Sequence, residues 1–439
     1  MCNLHTLSKT KINMTGLLGL ITILSLLVLI LSKKASPVVA LIGIPVFTGI
    51  LGGHGWELAG YITDGIRSIS TTGVMFIFAI LFFGVLTDAG TFRPMVKKLI
   101  QFAGNDPAKV AVATAILAMI VHLDGSGAVT FLVTVPAFLP LYDALKMSRA
   151  TLATIVALSA GTMNILPWGG PTIRAASALN VSVTELFNPM LVPVVMGLLS
   201  VLLIAFWLGK KERNGKLVDI QHTHREAISD PLDRPHLFWV NLLLIILAVI
   251  TLVSGWAAPH AIFMIAFILA LTINYPQVSE QAERINAHAK AAMLMASILF
   301  AAGCFTGILK GTGMISAMSH AAVTYIPLGL GSHLALIIGV LAMPASMLFD
   351  PDSFYFGILP LIAETAQYYG VDALEVGRAA ITGQMTTGFP VSPLTGSTFL
   401  LIGLTGVELG DHQRKTIPYA FMVSMVILLG AVIIGVISI

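Results

Sequence analysis

The chain has 439 residues, of which 56% are hydrophobic and only 10% charged, against roughly 25% charged in an average soluble domain. That excludes an ordinary soluble globule and points to an all-α polytopic membrane protein resident in the lipid bilayer. The net charge of +3 comes from basic residues scattered through short loops rather than gathered on one face, which argues against nucleic-acid binding.

Residues 1–13 are polar and are assigned no function, Met14 serving equally well as a start. The run 14–31 is long enough to span and lacks a small-residue cleavage site, so it reads as the first transmembrane helix rather than a signal peptide. Cys2 is terminal and Cys304 lies in an apolar run, so no disulfide framework is expected. Hydropathy predicts helices over 35–52 and 73–91, with Asp88 as a cap at the membrane surface. Residues 92–102 combine an apolar stripe with basic flanks, the pattern of an interfacial helix.

Over 107–141 two apolar limbs flank His122-Leu123-Asp124-Gly125-Ser126-Gly127. Each limb has only about 14 apolar residues where a spanning helix needs about 20, so they are predicted to enter and turn back as a hairpin. A broken helix follows over 148–180. It is interrupted from Asn164 through Pro167-Trp168-Gly169-Gly170-Pro171, where two prolines lack donors and two glycines loosen the backbone. It restarts near Thr172 with Arg174 in its first turn. A helix over 185–208 closes the half, and 209–235, carrying Lys210, Lys211, Arg213, Lys216, Arg225 and Arg234, is the one long hydrophilic linker.

The order then recurs. Helices are predicted over 237–254, 259–274 and 291–312, a hairpin over 333–368 with its tip at Phe349-Asp350-Pro351-Asp352-Ser353, a broken helix over 376–405, and a last helix over 416–437. At a shift of 223 residues, Gly84, Leu86, Gly90 and Met95 match Gly307, Leu309, Gly313 and Met318, Pro167 matches Pro390, and Glu185-Leu186 matches Glu408-Leu409. With re-entrant hairpins each half crosses five times, and an odd number inserts the second half upside down. The expected domains are therefore two inverted repeats, 14–208 and 236–439, each with five transmembrane helices, a re-entrant hairpin and a broken helix. Eighteen Lys and Arg residues fall on the linker side and five on the other. That imbalance predicts a cytoplasmic linker and both termini outside. Glu364 on the returning limb and Arg378 at a helix start read as structural.

Two tips and two breaks at membrane depth imply one central polar site, because irregular backbone survives there only against protein or a water-filled cavity. Free N–H groups at a helix start together with the Arg174 guanidinium suit a carboxylate or phosphate; the alternative is that Arg174 neutralises Asp124 or another buried acid. Asn164, Thr172, Ser392 and Ser397 are expected to help bind the substrate, with Gly169, Gly170, Ser126, Ser353 and Thr395 as further contacts. Asp124, His122, Asp350 and Asp352 are expected to manage a coupling cation, since carboxylates beside an anion site repel an anionic substrate. That cation is a proton, a sodium ion or a divalent metal arriving with the substrate; the alternative is that the aspartates cap helices and His122 is hydrogen-bonded within its hairpin. No nucleophile with its base stands out, so no enzyme is expected and no permanently bound cofactor. A cation/proton antiporter would share this architecture without an anion site.

Several stretches resemble the bacterial metal-citrate:proton symporters (CitMHS) of the ion transporter superfamily. They are Gly84-Val85-Leu86-Thr87-Asp88-Ala89-Gly90 with Phe92, Leu123-Asp124-Gly125, Asn164 through Thr172 with Arg174, and Phe305 through Leu309 with Gly311 through Met314. Phe354-Tyr355-Phe356-Gly357, Ser392-Pro393 and Gly406-Val407-Glu408-Leu409-Gly410-Asp411-His412-Gln413 complete the match. The resemblance implies proton-driven import of citrate or a related di- or tricarboxylate across a bacterial inner membrane, commonly as a Mg2+ or Ca2+ complex. It also implies a homodimer with an elevator-type transport domain of hairpins and broken helices. Asp124 and Asp352 would touch the metal only through that complex. Where the family tip usually reads Asp-Gly-Asp-Gly, this chain has Ser126 in place of the second acid, Pro351-Asp352 stands where Asn-Asp is usual, and Thr395-Gly396 where Val-Pro is common. With one acid fewer, free citrate or a sodium-coupled carboxylate symport stays open.

Overall fold

The structure, a computed structural model, describes residues 2–32, 34–213 and 231–438, with the side chains of all of these except 2–13, 31, 96, 325 and 328. Most of the linker, including Lys216 and Arg225, lies outside the described residues. Among those described there are helices, turns and no strand, in keeping with an all-α membrane protein. In chain order the helices are α1 (Cys2–Leu31), α2 (Pro37–Leu51), α3 (Leu58–Asp88), α4 (Arg93–Ala103), α5 (Pro107–Val121), α6 (Gly127–Ala144) and α7 (Arg149–Met163). Then come α8 (Gly170–Leu179), α9 (Val183–Phe187), α10 (Leu191–Lys211), α11 (Phe238–Ser254), α12 (Pro259–Asn274), α13 (Val278–Gly311) and α14 (Met314–Tyr325). The last are α15 (Leu328–Gly331), α16 (Leu334–Ala345), α17 (Leu359–Gln367), α18 (Ala373–Ile381), α19 (Gly396–Thr405) and α20 (Leu409–Ile433).

Seven helical stretches among the described residues are long and apolar enough to cross a membrane, Gly55–Asp88 and Val278–Gly311 being the longest at 34 residues each. Both begin well before the runs at 73 and 291 that hydropathy picks out. In α3 the polar residues that lower the hydropathy keep their hydroxyls on the helix's own carbonyls: Thr63 donates to Ala59, Ser68 to Gly65 and Ser70 to Arg67, the back-bonding that lets Ser and Thr sit inside a helix. In α13 the early charges are used in ion pairs: Arg234 reaches Glu280, and Arg284 reaches Asp88. α3 ends at Asp88, as expected, but the side chain there pairs across helices. Its carboxylate accepts from Arg284 Nη1 at 3.2 Å and His288 Nε2 at 2.8 Å, across to another helix. α14 was not expected at all, and the helix expected over 185–208 begins as α9 and a turn at Asn188–Met190 before α10.

α3 and α13 cross antiparallel, and glycines set how close they come. A Cβ on Gly65 would meet Gly303 O at 2.0 Å, and one on Gly307 would meet Tyr61 O at 2.3 Å, so backbone lies on backbone as in small-residue helix crossings. At the opposite end Gly84 has no room for a Cβ, because the His288 ring is 2.6 Å from where it would sit. Adding 223 to one member of each contact and subtracting it from the other turns Gly307–Gly65 into Gly84–His288, and Gly311–Tyr61 into Asp88–Arg284. Gly90 and Gly313, also 223 apart, both hold left-handed φ, +71° and +74°.

The first expected hairpin is α5 and α6, packed on each other. With its closing turn the outgoing limb reaches Asp124, 18 residues, and α6 also has 18, longer than the sequence suggested. Both limbs are among the seven stretches long and apolar enough to cross a membrane, against the expectation that they are too short to do so. The second is α16 followed by a π-helical turn at Ser353–Ile358 and α17. The interrupted helices are α7/α8, broken over 164–169, and α18/α19, where the irregular stretch runs over 382–395 and is longer than expected. The interfacial stretch is α4, one residue further on than predicted.

Gly65→Ala, forcing a methyl into the Gly303 carbonyl, should lower the melting temperature of detergent-solubilised protein by about 3–6 °C. Gly60→Ala, on the same helix with nothing within 4 Å of its Cβ position, should leave it within about 1 °C.

Candidate functional site

The first tip folds on its own carboxylate. α5 tightens into a 3-10 turn over His122–Asp124, and Gly125 takes φ +72°, which reverses the chain and suits glycine. Asp124 Oδ1 accepts the Ser126 N–H at 2.7 Å, and Ser126 Oγ caps α6 by accepting from Val129 N at 3.3 Å. His122 is buried, with Nδ1 2.8 Å from Thr130 Oγ1 and Nε2 without a partner among the described residues.

The first break rests against this tip. The Trp168 indole N–H donates to Leu123 O at 2.7 Å, and its ring stacks on Phe83 at 5.5 Å and meets Phe263 edge-on at 5.6 Å. The α8 helix restarts at Gly170 with Pro171 in its first turn, where a missing N–H costs nothing. The glycine pair has a steric reason: a Cβ on Gly169 would lie 2.1 Å from Asn164 O, and one on Gly170 would lie 2.9 Å from Arg174 Nη1. Thr172 Oγ1 donates to Ile165 O at 2.7 Å, closing the break, and Asn164 Nδ2 donates to Met385 O at 2.8 Å, tying it to the second break.

At the second tip Asp350 organises the turn. Its Oδ1 accepts the N–H groups of Asp352 and Ser353 at 3.0 and 3.1 Å, and its Oδ2 accepts the Ser353 hydroxyl at 2.5 Å. That turns Asp352 towards Arg174, whose Nε donates to its Oδ1 at 2.7 Å with both side chains buried. The second break is closed largely by side chains: Ser392 Oγ donates to Ser346 O, Ser346 Oγ accepts from Met385 N, Gln413 Nε2 donates to Val391 O, and His412 Nε2 lies 2.8 Å from Pro390 O. Met385 itself holds φ +51°, a left-handed conformation uncommon for a side chain of its size.

These parts surround a cavity of about 420 Å³, within the range of about 300–1,000 Å³ usual for small-molecule sites. Of the residues expected to bind substrate, Arg174, Asn164, Gly170, Ser126, Thr395 and Ser397 line it, and so does Asp124. Gly169, Thr172, Ser353 and Ser392 do not line it; they shape the backbone behind it, and His122, Asp350 and Asp352 also stand behind the lining. Asp124 is thus the one carboxylate on the wall among the described residues, and Arg174 and His288 are the basic groups. His288, with Thr87 and Gly84 beside it, was missed because the charged stretch 280–290 reads as a loop. The helical spacing of Arg284, His288 and Ala291 was the available signal. No group of three or more His, Cys, Asp or Glu side chains placed to hold a metal ion occurs among the described residues. A metal at this wall would meet Asp124 plus ligands brought by the substrate.

The citrate transporter family profile, CitMHS, matches residues 26–383. A citrate transporter of Bacillus subtilis (strain 168) is 43% identical over 427 residues, covering 97% of this chain and all of that protein. A Mg(2+)/citrate complex secondary transporter of the same organism is 39% identical over 433 residues, again 97% of this chain and all of the relative. Among solved structures, the YdaH transporter of Alcanivorax borkumensis superposes with a TM-score of 0.64 at 14% identity, covering 94% of this chain and 98% of the other. Neisseria gonorrhoeae MtrF gives 0.59 at 14% identity, covering 88% and 85%. These last two speak to the fold alone.

Removing one partner of a buried ion pair leaves an uncompensated charge, at a cost of about 3–5 kcal/mol, whereas replacing both with apolar groups is often neutral. Thermal melts in detergent should therefore show Asp352→Ala strongly destabilised and the double variant Arg174→Met/Asp352→Leu closer to wild type. Additive losses would mean the pair is not coupled.

Proposed function

The chain belongs to the citrate transporter family CitMHS, whose members are membrane transporters and not enzymes, and on that premise we propose that it imports citrate or a related di- or tricarboxylate by secondary active transport. The observation that carries this reading is the single cavity that Arg174 and Asp124 line together, at the start of α8 and the first hairpin tip. Arg174 Nε is held by Asp352, while its Nη1 lies beside Gly170 on the cavity wall. A guanidinium so oriented next to the α8 N-terminus recognises a substrate carboxylate. Asn164, Ser126, Thr395 and Ser397 add polar contacts around it. Gly169, Thr172, Ser353 and Ser392 contribute by fixing the backbone that presents them.

Citrate at neutral pH carries up to three negative charges, and each costs roughly 2.3 kcal/mol to bring in against 100 mV, inside negative. A divalent metal and protons remove that cost. We propose that the acid travels as a Mg2+ or Ca2+ complex, a reading supported by the named substrate of the 39% identical relative. Protons complete the coupling, through Asp124 on the wall and His122, Asp350 and Asp352 behind it. Ser126 in place of a second tip acid favours the alternative of a free carboxylate coupled to sodium, and Arg174 on the wall disfavours a cation/proton antiporter.

The domains are two inverted repeats, 14–208 and 236–439, joined by a cytoplasmic linker over 209–235 with both termini outside, in a bacterial inner membrane. The antiparallel crossing of α3 and α13, whose contacts exchange under the 223-residue shift, supports the inversion. The hairpins and broken helices would move as an elevator against that crossing, in a homodimer.

Uptake into proteoliposomes, with citrate, isocitrate, tricarballylate or succinate and with or without magnesium or calcium under an imposed pH gradient, tests the reading. Arg174→Ala should lose citrate uptake by roughly 100-fold, and so should Arg174→Met/Asp352→Leu, which strands no buried carboxylate and is the variant expected to stay folded; undiminished uptake would refute the role of Arg174. Asp124→Asn should alter the pH or metal dependence, and unchanged profiles would remove it from coupling.

A further inference from the structure

A second polar groove lies on the α3/α13 crossing. It encloses about 180 Å³ and is lined by Tyr61, Asp64, Ser68, Thr306 and Lys310, with Asn180 from just beyond the end of α8. The 223-residue exchange relates it to the central cavity. Phe83, Gly84, Thr87, His288 and Ala291 of the cavity's scaffold wall map onto Thr306, Gly307, Lys310, Gly65 and Ser68, and all five of these line the groove. The next residue along that wall, Met295, maps onto Thr72, in the adjoining cavity that shares Ser68 and Asn180.

Each end of the crossing thus has one vestibule with a basic side chain, His288 at one and Lys310 at the other. The His288 end is the linker end, because the Arg234 N–H donates to Ala89 O at 3.0 Å beside Asp88. α8 joins the two. Its N-terminal half, with Gly170 and Arg174, lines the central cavity, Asn180 just beyond its end lines the groove, and it packs against both α3 and α13. Ten residues of helix span about 15 Å, so a slide of about its own length carries the start of α8 to where Asn180 now stands. Among the described residues no acid lies within ion-pair distance of Lys310, the Glu364 carboxylate of the second hairpin acting on it from further off, and the acid that shares the groove, Asp64, has Arg67 at 3.6 Å. The Lys310 ammonium is a compact point charge on the groove wall, and such a charge suits an anion.

We infer that the Lys310 groove is a second binding site for the carboxylate, the vestibule that meets the Arg174 site when it opens to the face opposite the linker. The inference rests on the elevator reading given above. In that state Lys310 takes the place of the His288 corner of the present cavity and receives the incoming acid.

Reconstituted wild-type, Lys310→Gln and Lys310→Arg chains, with orientation read by an impermeant label, test this with citrate presented at either face. Lys310→Gln should raise KM roughly tenfold from the face opposite the linker and leave it within about twofold from the linker face, the size of one lost charge-assisted contact. Lys310→Arg should restore it. An unchanged KM at the far face, or an equal rise at both, overturns the inference. Should Lys310→Gln fail to fold, Ser68→Cys in a Cys2→Ala/Cys304→Ser background is alkylated with an impermeant maleimide from the far face. Saturating citrate should slow the reaction at least about fivefold, as occupancy of a site does; an unaltered rate overturns it. A wild-type chain that carries no citrate defeats the substrate reading itself, a different outcome from wild-type transport with an indifferent Lys310.

Discussion

Arg174 and Asp352 are separated by 178 residues and meet as a buried ion pair between the first interrupted helix and the second hairpin tip. Neither charge is stable at that depth alone. The pair fixes the relative position of the two halves' irregular segments, and those segments need each other for a second reason. Backbone that leaves the helix inside a membrane must find its hydrogen bonds within the protein; here one such bond crosses between halves, Asn164 to Met385, and within the second half Ser346, Ser392 and Gln413 satisfy the long stretch 382–395. The cavity is what remains in the middle of this mutual closure.

The helical class and most elements were legible in the sequence because apolar runs and turn residues alternate so plainly. Boundaries failed where helices carry polar residues. α3 and α13 extend past their apolar runs because hydroxyls back-bond and charges pair across helices, interactions that a residue-by-residue hydropathy scale counts only as cost. The missed α14 has the same origin: Ser316, Ser319, His320 and Thr324 dilute its apolar residues, yet Ser319 and His320 bond to Thr365 and Tyr368 of the second hairpin.

The site was legible in its types more than in its partners. Arg174, Asp124 and the glycine pair announce themselves as ionisable or helix-breaking residues where such residues are expensive. Nothing local could say that Asp352 rather than Asp124 pairs with Arg174, or that Asp350 turns inward to cap its own tip. Pairing depends on which tip faces which break, a property of the tertiary arrangement. His288 was hidden for a related reason, since its place on the wall follows from Gly84 on another helix leaving room for the ring.

Trp168 carries one further consequence. Its only polar atom is already spent on Leu123, inside the tip-and-break unit to which it belongs. Toward Phe83 and Phe263 it offers hydrocarbon alone. Parting that seam strands no donor and breaks no directional bond; it only re-exposes apolar surface, a cost that any new aromatic or aliphatic neighbour repays. The indole is thus fixed to its own tip by a directional bond and meets α3 and α12 through ring surface alone.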